Sequence, residues 1–140
     1  MNIEAIITQC SNSLKKYNCL DDKNNNIDEL LTILDKLSGY VFFLREAVGN
    51  AEANYITLKT TCEIKRIEGI KAKMHDKAVI SKLEREVEYD TLADLYAYRQ
   101  EEAIHVRLKN IVIGVERTID AIDHRINFYK FDKKTSNYQT

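Results

Sequence analysis

The chain has 140 residues, 44% of them hydrophobic and 31% charged, with a net charge of −1, an ordinary make-up for one folded soluble domain. Its apolar runs are only a few residues long, and residues 1–14 lack a basic region followed by an apolar core, which argues against a membrane span and a secretory signal. There is no Pro and only four Gly, so little forces the backbone out of the α region and long helices follow.

Residues 1–17 are expected to form a short amphipathic helix. Ile3, Ile6, Ile7, Cys10 and Leu14 fall on one face, and Asn2 is available as the cap. Residues 18–26, with Asp21, Asp22 and three consecutive Asn, read as a loop. Residues 27–74 then read as one helix of roughly 70 Å at 1.5 Å per residue. Gly39, Gly49 and Gly69 weaken it by about 1 kcal/mol each relative to Ala without ending it.

This helix carries the most informative pattern in the chain. Leu34, Leu37, Val41, Leu44, Val48, Ala51, Tyr55, Leu58 and Cys62 follow one another at strictly alternating spacings of three and four, the register of a coiled coil. Residues 75–80 are expected to form a hairpin tip, closed by the capping box Ser81-Lys82-Leu83-Glu84. A second long helix over 81–131 carries Ile104, Leu108, Ile111, Val115, Ile119, Ile122, Ile126 and Tyr129 on one face. A hairpin turning near residue 78 places residue 111 beside residue 45. Residues 132–140 are polar and expected to fray. The fold class is therefore all-α: a long antiparallel, coiled-coil-like helical hairpin with a short N-terminal helix. The hairpin closes within one chain or by exchange between chains, and self-association is the default expectation.

Charge is unevenly distributed. Lys59, Lys65, Arg66, Lys71, Lys73, Lys77, Lys82 and Arg85 concentrate positive charge around the tip, while Glu86, Glu88, Asp90, Asp94, Glu101 and Glu102 make the start of the second long helix acidic. The basic cluster either meets nucleic-acid phosphates or pairs with the acidic stretch across the hairpin. Phe128, Tyr129 and Phe131, interleaved with Arg125, Lys130, Lys133 and Lys134, either stack on single-stranded nucleic acid or plug the base of the bundle. Along the acidic stretch Tyr89, Leu92, Ala93, Tyr96 and Ala103 form a thin stripe, and Tyr55, Tyr89, Tyr96 and Tyr98 either make a stacking or partner-binding surface or serve as half-buried packing with wet hydroxyls.

No catalytic chemistry stands out. Asp120 and His124, like Glu101 and His105, have the i,i+4 spacing of surface pairs, and no matching carboxylates face them, so no metal is expected. Ser and Thr fall mostly at caps, loops and the tail, and no Gly-rich loop offers a phosphate cradle. Neither an enzyme nor a cofactor is expected. The cysteines are three in number at spacings that fit no zinc or redox motif, as expected of reduced thiols in a cytosolic protein.

Two segments, YITLKTTCEIKRIEGIKAK from Tyr55 and RTIDAIDHRINFYKFDKK from Arg117, resemble small helical proteins of tailed bacteriophages. The closing pattern Asp120-Ala121-Ile122, then Arg125 and Lys130, is similar to the end of phage recombination mediators, although the chain contains no Trp. That resemblance implies a non-enzymatic oligomer in the host-cell cytoplasm that helps load a recombinase on single-stranded DNA. Lys65, Arg66, Lys71, Lys73 and Lys77, with Arg125, Lys130, Lys133 and Lys134, would contact phosphates. The competing class is a protein-interaction module, a virion component or an inhibitor of a host factor, acting through the coiled-coil and acidic surfaces.

Overall fold

The computed structural model describes residues 2–20, 27–74 and 80–137, and shows helices only in those segments: α1 (Ile3–Cys19), α2 (Ile27–Lys73), α3 (Ile80–Asp90) and α4 (Leu92–Asn137). Residues 75–79 of the tip expected over 75–80, and residues 21–26 of the loop expected over 18–26, lie outside the described residues. Helices α2 and α4 pack against each other as an antiparallel hairpin, and their packing divides the chain into two compact units. One comprises residues 1–47 and 108–140, the other residues 48–107.

The start of α1 is set locally. Asn2 sits in extended conformation and its side-chain oxygen accepts the Glu4 N–H at 3.1 Å, filling one of the four donors that a helix start leaves open. The helix runs two residues past the expected end at Tyr17. It stops where Leu20 turns extended and donates its N–H to the Tyr17 carbonyl at 3.1 Å. It buries Ile6, Cys10 and Ser13, one residue per turn on a single face.

In the first unit α1, the N-terminal part of α2 and the C-terminal part of α4 share a core. Leu30, Leu37, Leu44, Val115 and Ile122 are essentially sealed from solvent, with Ile33, Val41, Leu108, Val112 and Ile126 close behind. Each fully buried side chain of this size contributes about 1.5–3 kcal/mol, which makes this unit the anchor of the fold. Arg45 of α2 reaches Glu116 of α4, its Nε donating to the carboxylate at 2.8 Å, so residue 45 faces 116 where the sequence placed 111.

Three expectations about the second long helix are corrected. It is broken at Thr91, whose hydroxyl donates to the carbonyls of both Val87 (2.8 Å) and Glu88 (3.4 Å). Such back-bonding competes with the backbone ladder and bends helices. Thr57 and Thr61, which bond a single carbonyl each, leave α2 unbroken. The N–H of Thr91 still reaches Val87 O at 2.9 Å and that of Leu95 still reaches Thr91 O at 3.0 Å. At its start, α3 begins at Ile80, which places Ser81 inside the first turn and not ahead of it. At its end, α4 continues to Asn137, through most of the stretch expected to fray.

The cysteines occupy three environments: Cys10 buried, Cys62 intermediate and Cys19 exposed. Burial pushes the Cys10 thiol up from 9.0 to about 11. A group held protonated in the folded state stabilises it fully below its unfolded pKa, and that contribution disappears as pH rises from about 9 through 11. Thiol titration with a disulfide reagent at pH 8 is expected to modify Cys19 at once, Cys62 more slowly and Cys10 only at the rate of unfolding. Rapid modification of all three would contradict the packing of α1.

Candidate functional site

The unit of residues 48–107 has the same seam pattern as the first but different contents. Counting back from Leu108 in alternating threes and fours, the inward positions are His105, Glu101, Tyr98 and Asp94 on α4 and Thr91 at the break, all polar and all half-buried. Ile104, expected in this seam, is 46% exposed; the strict alternation selects His105 instead, whose ring lies 5.0 Å from that of Tyr55 on α2. Tyr98 stands 6.4 Å from Tyr55, and its hydroxyl donates to the Glu102 carboxylate, which raises its pKa. Toward the tip, Gly69 lets α2 approach α3, because a Cβ there would lie 3.1 Å from Val87 Cγ2. Among the described residues of this unit only Ala51, Leu83 and Val87 are buried hydrophobics.

The candidate phosphate-binding cations are distributed as follows. Lys65 Nζ lies 3.0 Å from Asp94 Oδ2. Lys73 Nζ lies 3.0 Å from Asp90 and 3.5 Å from Glu86, and the bond it donates to Asp90 raises its pKa. Arg66 and Lys71 are exposed. In the other unit Arg125 is half-buried and its Nε donates to the Tyr129 hydroxyl at 3.4 Å, while Lys130 is exposed. Phe128 and Phe131 are exposed, and Phe128 packs edge-on to Tyr129. Lys77 and the side chains of Lys133 and Lys134 lie outside the described residues. Basic and acidic stretches thus meet across the hairpin at Lys65 and Lys73.

Tyr89 and Tyr96, expected half-buried, stand instead on an exposed second stripe. Tyr89, Leu92, Tyr96, Arg99, Ala103 and Val106 also alternate in threes and fours, and every one of them is exposed, Tyr89 to 80% and Tyr96 to 66%. They lie on the face of α3 and α4 turned away from α2. On α2 itself Ile56, Ile64 and Ile67 are about half exposed. Arg99 and Val106 complete the alternation and are the members that the thin stripe expected from the sequence did not include.

A hollow of about 460 Å³ between α1 and the start of α2 is lined by Ser13, Lys16, Cys19, Asp28, Thr32 and Lys36, among others. Among the described residues no three His, Cys, Asp or Glu side chains gather into a group that would hold a metal ion, and no helix is long and apolar enough to cross a membrane. No protein-family model, curated protein or solved structure matches the chain, so its function is read from these surfaces alone.

Proposed function

We propose that the protein is a non-enzymatic interaction module that binds protein partners through the outer faces of the 48–107 unit. The observation that carries this reading is the imbalance in that unit: three buried hydrophobic side chains against exposed Ile56, Ile64, Ile67, Leu92, Tyr96 and Val106. Exposed apolar side chains in such number over so small a buried core mark contact sites. The ion pairs of Lys65 and Lys73 point the same way, since a cation already held by a carboxylate releases fewer counterions from DNA.

A second reading, the single-stranded DNA accessory suggested by the phage resemblance, is favoured by exposed Phe128 and Phe131 flanking exposed Lys130, aromatic faces beside a cation. One comparison separates the two. Wild type and Ile67→Glu are used to capture proteins from cell extract, and both are titrated with labelled single-stranded DNA at about 50 and 200 mM salt. The interaction module retains a partner that Ile67→Glu loses, without a change in melting temperature, and binds no DNA. DNA binding that collapses with salt, and no partner sensitive to Ile67, would replace it with the second reading.

A further inference from the structure

Two hollows lie along the groove between α1 and α2 in the first unit, and they share a waist. The larger, of about 460 Å³, is bordered by the apolar Cys19, Leu20 and Ile33. The smaller, of about 290 Å³, is bordered by Gln9, Asn12 and Tyr40. Ser13, Lys16 and Lys36 border both. Clefts of several hundred cubic ångströms with a few convergent polar groups are the form that small-molecule sites take.

The waist has a definite chemistry. Ser13 is 6% exposed, and among the described residues its hydroxyl has no hydrogen-bond partner. Thr8 and Thr32, on the same two helices, each donate to the carbonyl four residues earlier. Ser13 does not, so a polar group in a buried wall is left for whatever enters. Lys16 of α1 and Lys36 of α2 are exposed at the rim. No carboxylate among the described residues holds either of them, in contrast to Lys65 and Lys73. Two unpaired cations and a hydroxyl donor converging from two helices fit an anion, since charge-assisted bonds are the strong ones.

The far end of the larger hollow has the opposite sign. Asp28 and Glu29 border it about two turns of α2 from Lys36, roughly 11 Å at 1.5 Å per residue, and they repel a second negative charge placed there. Leu20 and Ile33 line the same hollow, so the body of the ligand is apolar and its charge is confined to one end.

We propose that the groove between α1 and α2 binds an amphiphilic monocarboxylate, its carboxylate held by Ser13, Lys16 and Lys36 and its apolar body lying along Cys19, Leu20 and Ile33. This site belongs to the first unit and does not depend on the interaction-module reading, whose surfaces lie in residues 48–107.

Cys19 is the reporter. The full chain is alkylated with iodoacetamide, a neutral reagent that the lysines do not attract, in the presence of decanoate below its micellar concentration, and each thiol is followed by mass spectrometry. Decanoate is expected to slow the modification of Cys19, which borders the hollow, and to leave the rate at Cys62, in the other unit, unchanged. Lys36→Gln, a change at an exposed position that leaves helicity intact, is expected to raise the half-protecting concentration roughly tenfold, and decanol to require a similar excess over decanoate. Decanedioate, whose second carboxylate reaches toward Asp28 and Glu29, is expected to protect less well than decanoate. Ser13→Ala is expected to weaken protection without filling the hollow. Absence of protection at Cys19, equal protection of Cys62, or indifference to Lys36→Gln and to loss of the ligand's charge would overturn the proposal, and none of these results bears on the Ile67-dependent capture.

Discussion

Truncation of Leu44 to alanine is expected to destabilise the protein by about 3 kcal/mol, measured as the shift in denaturant unfolding followed by circular dichroism. Leu44 has no solvent exposure and shares its unit with Val115 and Ile122, which have none either, so the deletion leaves a cavity that long, straight helices relax poorly to fill. Against a total stability of roughly 5–15 kcal/mol for a chain of this kind, the loss is severe. Leu58→Ala, at the same kind of seam position but only half-buried, is expected to cost about 1 kcal/mol. The contrast is the informative part: equal losses at the two sites would mean that the seam is buried evenly, and a loss under about 1 kcal/mol at Leu44 would mean that α2 and α4 do not close a core there.

The opposite effect is expected from glycines. Gly39, Gly49 and Gly114 lie inside helices, and nothing stands within 4 Å of the point a methyl group would occupy on any of them. Alanine there gains helix propensity of about 0.5–1 kcal/mol per site with no steric cost. The triple Gly→Ala variant is expected to be about 1.5–3 kcal/mol more stable and to melt roughly 8 °C higher by calorimetry. Gly69→Ala is expected to gain nothing. Its new methyl would press on both γ-carbons of Val87, at 3.1 and 3.2 Å, and Val87 is 2% exposed with no room to retreat, so strain cancels propensity. A gain at Gly69 equal to that at the other three would show that α2 and α3 do not approach closely.

The α2 seam was legible through Leu37, Val41 and Leu44, which repeat without interruption and are buried, whereas Leu34 is only half-buried and the neighbouring Ile33 is buried in its place; helix pairing is an efficient way to bury such a stripe. The phase of α4 was less legible. Ile104 and Ile111 are the more hydrophobic choices, yet His105 and Val112 take the inward positions, because geometry follows the strict alternation and a histidine ring is accommodated by stacking on Tyr55. The break at Thr91 depends on a hydroxyl shared between two carbonyls, which no spacing rule encodes. Of the candidate site, the opposition of basic and acidic stretches could be read from charge order, and Lys65 and Lys73 show it as ion pairs. The Tyr89 to Val106 stripe was legible in part: Tyr89, Leu92, Tyr96 and Ala103 stand out as a thin apolar stripe, whereas Arg99 and the carboxylates around it lower the average hydropathy and hide how exposed that face is.

The core of the first unit is assembled from residues before 48 and after 107, with a whole second unit strung between them. On the ribosome, Leu37 and Leu44 emerge long before Val115 and Ile122 exist to cover them. At roughly 5–20 residues per second, the nascent chain carries an uncovered apolar ridge for several seconds. During that interval the ridge can be sheltered by chaperones or lost to aggregation. Substitutions that slow elongation within 48–107 would therefore lower the yield of folded protein while leaving the stability of the finished molecule unchanged.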